Sequence, residues 1–496
     1  MQALLVPALV QGQQPIEFDT VRLNPLNSFL VGLSVFETSD GYRVWGMAGD
    51  GSGDVQELHV LSFDGDGHYL SEFASHNDLP TWPGSYAPVT RSVEGGFACG
   101  LSVLNTAESM TALHLYRFNE QGDTLWTRYL VSDTTVAVRK CMQSSNGDYL
   151  LVGLHERPTN AFLCRVLASG ELLNFMVFDE VPAFFAMSVA EDANQDLYVC
   201  GYGRSVEQNN NNNANLIKCG PDGSVIWRRT KPLASSYNQV VITADGGVAA
   251  LGYRSPNGQE PNKAIVVKYT ADGAESWSRD IVASDGPLRV CGLADGFELV
   301  DGSLVVCGSI RNTTTPGLWD NGMLHKLDAD GNVLWSRYYA HYTGLPVGYD
   351  HVFNAVQPTS DGGFILTGEA QGPTPPNTSR LWLVKLDSMG CLVPGCHTVG
   401  VQEFESALQS ALQVSPNPAT EAVRFNLELP SGYQLMGAVQ ALLLDAQGKE
   451  IARERVQANG SLVSGALTLE GQAQGLYYLH LRDEVKWLAG QKVVVE

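Results

Sequence analysis

The chain lacks any apolar run that could cross a bilayer as a helix: no window of its 496 residues approaches 18 uninterrupted apolar positions. It is also poor in positive charge. Thirty-one Lys and Arg stand against 53 Asp and Glu, a formal net charge of −22. A surface that acidic repels phosphate backbones and anionic headgroups, so neither nucleic acid nor a membrane surface is expected as a partner; the acidity reads as solubility in an extracellular medium. Charged residues are scarce overall, at 17% against 44% apolar. That balance excludes a disordered chain and supplies enough apolar surface for a large core. Catalytic signatures are missing too. No G-x-S-x-G elbow, HExxH helix or phosphate-cradling Gly loop occurs in a fitting context, and no catalytic residue, metal or cofactor is assigned.

What is abundant is turn chemistry. Fifty-one Gly and 23 Pro fit an all-β chain with many tight turns, and a turn, a short apolar run and a Gly recur together seven times. The copies are DGYRVWG from Asp40, EGGFACG from Glu94, NGDYLLVG from Asn146, NQDLYVCG from Asn194, DGGVAALG from Asp245, DGSLVVCG from Asp301 and DGGFILTG from Asp361. Each is followed by a second turn ending at Gly67, Gly122, Gly170, Gly223, Gly273, Gly331 or Gly390, and four of these place a Trp four residues on: Trp126, Trp227, Trp277 and Trp335. A period of about 50 residues is that of propeller blades. Each unit reads as four strands, A to D. One such sheet cannot cover both its faces, so neighbours must pack face to face and the ring must close. The fold class is therefore all-β: a seven-bladed β-propeller over residues 13–396. The seventh unit is short of a D strand, and the sequence predicts that Ile16 to Leu23 (IEFDTVRL) supplies it.

Antiparallel succession puts the A–B and C–D turns on one face of such a ring and the B–C and D–A loops on the other. The second set varies in length and composition, and variable loops on a rigid scaffold are where recognition is usually placed. Its aromatic residues, Trp82, Tyr86, Trp319, Tyr342 and Tyr349, are candidates for contact with an extracellular glycan or protein. His341, Asp350 and His351 are close in sequence, but their spacing matches no zinc pattern. Phe63 to Gly67 and Leu327 to Asn332 resemble the starts of calcium loops; both lack the full ligand set and sit where a C–D turn is required.

Nine Cys is an odd number, and most sit in apolar runs as small buried hydrophobes. Cys391 and Cys396 flank a Pro-Gly turn and form the candidate disulfide of an exported protein. Met1 to Gly12 (MQALLVPALVQG) is apolar and ends in small and polar residues, reading as a signal peptide whose basic start is missing.

After His397 the repeat stops. Residues 397–412 read as a linker, and 413–496 as short alternating strands sufficient for a small Ig-like sandwich. The ordered motifs SPNPAT (Ser415 to Thr420), LDAQGKEI (Leu444 to Ile451), GLYYLHL (Gly475 to Leu481) and the terminal QKVVVE resemble the type IX secretion system C-terminal sorting domain (type A) of Bacteroidetes. The residues that carry the likeness are Pro416, Asn417, Pro418, Asp445, Gly448, Gly475, Tyr477 and Lys492. The resemblance implies export through the type IX machinery, removal of this domain by a sortase-like peptidase, and a secreted or cell-surface location. The propeller repeats are similar to those of many exported Bacteroidetes proteins, which implies architecture and no agreed activity. The leading expectation is a noncatalytic binding or adhesion module; a hydrolase or lyase acting on polysaccharide from the loop face, or a structural surface component, are the rivals.

Overall fold

The computed structural model describes residues 17–392 and 411–496, less the segments 24–28, 50–55, 75–80, 83–88, 106–109, 132–134, 157–158, 179–183, 205–211, 232–235, 255–262, 282–288, 313–318, 343–348, 374–375, 430–434, 436, 446–447 and 484–486. The proposed signal peptide, Tyr86, Cys396 and nearly all of the linker fall outside these residues.

Seven antiparallel sheets account for the repeats. The third is representative: Val136–Gln143, Tyr149–Glu156, Thr159–Val166 and Leu172–Val177 follow one another in sequence and in space. Its A–B turn closes with the N–H of Gly147 on the Ser144 carbonyl at 2.9 Å, and its C–D turn with Gly170 on Leu167 at 2.8 Å. The same hairpin geometry recurs in the other blades, with a residue of positive φ at its fourth position, except in the A–B turn of blade 1, where Thr38 pairs directly with Gly41. In blade 4 that residue is Gln195, the one described non-glycine with positive φ, at 65°. Blade 2 departs from the pattern. Its inner strand is split into Thr81–Trp82 and Val89–Arg91, both paired with Phe97–Asn105.

The last blade is assembled from both ends of the chain. Phe18–Arg22 lies beside Pro376–Leu386, followed by Phe364–Pro373 and His351–Pro358, so the N-terminal strand is the D strand that the seventh repeat lacks. It also reaches the first blade: the Thr20 hydroxyl donates to the Gly67 carbonyl at 3.2 Å, and Arg22 pairs with Glu72 at 3.5 Å. Among the inner strands, the Asn354 amide donates to the Gly32 carbonyl at 2.9 Å. These contacts close the ring.

Apolar layers fill the gaps between blades. Phe97 and Leu101 of blade 2 meet Trp45 and Val60 of blade 1, and Leu150 and Val152 of blade 3 meet Phe184 and Val199 of blade 4. Burial of such rings and branched chains from water, at about 25 cal/mol per Å2 of apolar surface, holds neighbouring sheets together.

Two further devices explain why the turns recur. Four of the D strands carry W-x-R: Trp126 and Arg128, Trp227 and Arg229, Trp277 and Arg279, Trp335 and Arg337. The Trp277 indole donates to the Ala329 carbonyl in the next blade's C–D turn at 3.0 Å, and a Cβ added to Gly331 there would lie 2.8 Å from that ring. Arg229 donates to the Gly273 carbonyl of the following turn at 2.6 Å, with its guanidinium 5.0 Å from the centre of the Trp227 ring. Within blades, a Lys or Arg five residues before the C–D turn glycine reaches back to the A–B turn carboxylate. Examples are Lys218 with Asp196 (2.9 Å), Lys268 with Asp245 (2.8 Å) and Lys385 with Asp361 (2.7 Å).

The C-terminal region folds as two four-stranded sheets. One runs Leu412–Ser415, Ala422–Glu428, Leu462–Thr468, Ala458–Asn459, and the other Glu450–Val456, Val439–Asp445, Gly475–Arg482, Trp487–Val495. The alternating pattern of Ala422–Glu428 sends Val423, Phe425 and Leu427 inward, where they join Leu443, Leu479 and Val493 in one core. Two compact units result: residues 19–357 with 365–384, and residues 1–18 with 358–364 and 385–496.

Candidate functional site

Among the described residues of the variable-loop face, a dense polar and aromatic grouping lies where blades 6 and 7 meet. The A strand of blade 7 begins at His351, which is 1% exposed. Its Nδ1 donates to the Tyr349 carbonyl at 2.8 Å, and its Nε2 accepts from the Tyr342 N–H at 3.1 Å. The ring is therefore neutral with the proton on Nδ1, and burial pushes its pKa down to about 4. Beside it, Asp19 of the closing strand accepts from the Trp382 indole at 2.7 Å and pairs with Nδ1 of His341 at 2.9 Å. Tyr342 sits at the centre, with ring centroids 4.7 Å from His341, 6.2 Å from Tyr349 and 6.1 Å from His351, and the Arg380 guanidinium 5.5 Å away.

Carboxylates line the adjoining edge. Arg311 holds Asp320 through two bonds of 2.7 and 3.2 Å, and the Asp320 N–H donates to Asp350 at 2.9 Å. Burial raises the pKa of Asp350, and repulsion from Asp320 adds to it despite that N–H bond. Glu369 is raised in the same way, by burial first and then by Asp350 and Asp320, with a Ser379 hydrogen bond opposing.

His341, Asp350 and His351 thus lie near one another without sharing a ligand point, because each serves a different structural bond. Among the described residues, the ligand atoms that do converge are those of Asp64, Asp66 and His68. There Asp64 Oδ1 accepts from the Asp66 and His68 backbone at 3.0 and 2.8 Å, which is the chemistry of the C–D turn itself. The inner strands carry one more buried carboxylate. Asp295 accepts from the Gln239 amide at 2.8 Å and the Val356 N–H at 3.1 Å, while Ser188 donates to Gln239 at 2.6 Å. This chain braces blades 4 to 7, and burial holds the Asp295 carboxyl above its usual range, opposed by Lys140.

Of the five aromatic residues singled out from sequence, the structure brings Tyr342 and Tyr349 together. Trp82 and Trp319 lie in strands, in register with Ser102 and Asn312. Asp19, Arg311, Asp320, Glu369, Arg380 and Trp382 were missed, since no local pattern joins positions contributed by two blades and the N-terminal strand. Cys391 is disulfide-bonded, while its proposed partner lies outside the described residues. Cys99, Cys141, Cys164, Cys200, Cys219 and Cys307 are free and buried, and burial pushes the thiols of Cys141, Cys164 and Cys219 up to about 12.

In the C-terminal sandwich the sequence motifs converge on the final strand. The Asn417 amide donates to the Lys492 carbonyl at 2.7 Å, and its oxygen accepts from the Val494 N–H at 2.8 Å. The Ala419 N–H donates to Val494 at 2.8 Å, and its carbonyl accepts from Glu496 at 3.0 Å. Asn417 lies between Pro416 and Pro418, both of which follow cis peptide bonds. Asp445 and Gly448 form a hairpin turn closed at 2.9 Å, Gly475 opens the strand opposite Val495, and the Tyr477 hydroxyl donates to the Ala473 carbonyl at 3.0 Å.

Residues 413–496 match the family model of the secretion system C-terminal sorting domain. No curated protein matches the chain. Among solved structures, a protein of unknown function from Bacteroides caccae is similar at 11% identity and a TM-score of 0.36, covering 63% of this chain and 94% of that one. A protein of unknown function from Dyadobacter fermentans is 10% identical with a TM-score of 0.41, covering 74% and 97%. The Neurospora crassa Pan2 WD40 domain is 11% identical with a TM-score of 0.43, covering 71% and 88%. The propeller itself rests on its own sheet order. The C-terminal sandwich is a sorting domain of the type IX system, and the protein is secreted to the cell surface or beyond.

Proposed function

We propose that this exported propeller is a noncatalytic binding module that holds an extracellular glycan or protein at the junction of blades 6 and 7. The observation that supports this best is how the polar groups there are engaged. Both nitrogens of His351 are in hydrogen bonds, His341 and Trp382 meet on Asp19, and Arg311 grips Asp320. Groups so committed fix loop geometry and leave the half-buried rings of Tyr342 and Tyr349 on a rigid support. Rigid aromatic faces beside an arginine suit a sugar ring or an apolar side chain at low entropic cost. A sortase-like peptidase remains the proposed partner that removes the sorting domain, and Cys391 with Cys396 the proposed disulfide.

One observation favours the rival hydrolase or lyase. Asp350 and Glu369, both held above the ordinary carboxylate range, neighbour Asp320, and a protonated acid beside an ionised one is how glycosidases divide their roles. The full chain on glycan and protein arrays, with a parallel screen for polysaccharide cleavage, separates the two. Binding lost in Tyr342→Ala, retained in Asp350→Asn and without turnover is the expected result. Turnover abolished by Asp350→Asn would establish the enzyme instead.

A further inference from the structure

Glu17 is the first described residue of the chain and is 3% exposed. It belongs to the same compact unit as the sorting domain. Its backbone carbonyl accepts from the Lys492 ammonium at 3.1 Å, and Lys492 stands in the final strand, Trp487–Val495, opposite Tyr478. The Glu17 carboxyl faces Lys492 from that strand, Tyr478 from Gly475–Arg482, and Asp387 and Lys385 from the end of the blade 7 C strand and the turn after it. Lys385 is already engaged, with Asp361 at 2.7 Å and the Leu386 carbonyl at 3.1 Å. The Tyr478 hydroxyl is the one hydrogen-bonding group set against the Glu17 carboxyl among the described residues, and burial outweighs it. A buried carboxyl in that position is tolerated as a neutral acid and resists ionisation. Two independent features therefore meet at one residue: a backbone contact that covers a lysine of the sorting domain's last strand, and a side chain whose seat opposes its charge.

We propose that Glu17 is a proton-controlled latch on the last strand of the sorting domain: protonated, it stays seated and covers Lys492; ionised, it leaves the seat and exposes Lys492 and Tyr478. Burial raises its pKa to about 7, with Lys492 opposing and Asp387 reinforcing. The seated pKa lies above the free value of 4.5, so seating is strongest below the free value and weakens as pH rises through about 7.

The test reads the acylation of Lys492 by an N-hydroxysuccinimide ester of acetate on the full chain, as a ratio to the exposed Lys449, by mass spectrometry. The ratio cancels the pH dependence common to amines. From about pH 6 to about pH 8.5 the ratio rises by about tenfold in the wild type. In Glu17→Gln and Glu17→Leu it stays at its low value throughout, because an uncharged side chain keeps the seat. A flat ratio in the wild type overturns the latch, as does the same rise in both variants. Fast labelling at every pH in both variants also overturns it, since the seat would then require the charge that the latch excludes.

Discussion

The two faces of the propeller are built on opposite rules. On the face of the A–B and C–D turns the same devices recur: turn carboxylates paired with a lysine, as at Asp196, Asp245 and Asp361, glycines such as Gly331 seated against the preceding blade, and W-x-R in four of the D strands. On the face of the B–C and D–A loops the sequence varies in length and composition from blade to blade, and the junction of blades 6 and 7 holds a set of groups found nowhere else among the described residues. Repetition is what closing a ring from like sheets requires, since every interface must accept the next blade at the same angle. Variation marks the face freed from that requirement.

The sharpest way to break this contrast is to damage one turn. Gly331 has a φ of +80°, and a Cβ there would lie 2.8 Å from Trp277. Gly331→Ala combines left-handed strain with displacement of a packed indole and is expected to cost about 3 kcal/mol in urea unfolding. A loss below about 0.5 kcal/mol would mean that the turn glycines are not pressed between blades.

Acid distinguishes the two faces next. His351 is buried neutral with its pKa near 4 against an ordinary 6.5, so its contribution is complete above the ordinary value and is lost as pH falls toward 4. Asp245 behaves differently. Burial works to raise its carboxyl, but Lys268, Thr243 and the Gly247 N–H bring it down to about 2 from 3.8, so that turn keeps its contribution until pH drops below 3.8. Hydrogen exchange corrected for intrinsic rates should show His351 and Tyr342 losing protection near pH 5 while the residues around Gly247 stay protected. Simultaneous loss on both faces would erase the distinction.

A smaller effect runs the other way. Gln195 holds the left-handed position that glycine occupies in most other A–B turns, at φ 65°. Gln195→Gly relieves that strain and gives back part of it as unfolded-chain entropy, for a net gain of about 0.5 kcal/mol. No gain, or a loss, would show that its side chain makes a compensating contact.

These contrasts also explain what was legible in the sequence. Seven Gly-bearing turns at regular spacing disclosed the blades, and the D strand missing after Gly390 pointed to the segment beginning at Ile16, because a ring with one incomplete sheet must borrow from elsewhere in the chain. The sorting domain was readable for a related reason: its motifs are short and ordered along the chain, and Asn417 then proves to clamp the strand that contains Lys492. The arginine of W-x-R went unread, since its partners are backbone carbonyls of the next blade and leave no mark in composition. At the junction of blades 6 and 7 the sequence disclosed His341, Tyr342, Tyr349, Asp350 and His351, which are neighbours along the chain, but not the partners that meet them from elsewhere. Asp19 meets His341 and Trp382 across 322 and 363 residues, and such a meeting exists after the ring has closed and not before.

The most direct test of the division between faces is the ligand array probed with the full chain and two variants matched for stability, Tyr342→Ala on the loop face and Asp245→Ala on the turn face. Signals should vanish with Tyr342→Ala and survive Asp245→Ala. Signals untouched by the first substitution, or abolished equally by both, would contradict that division.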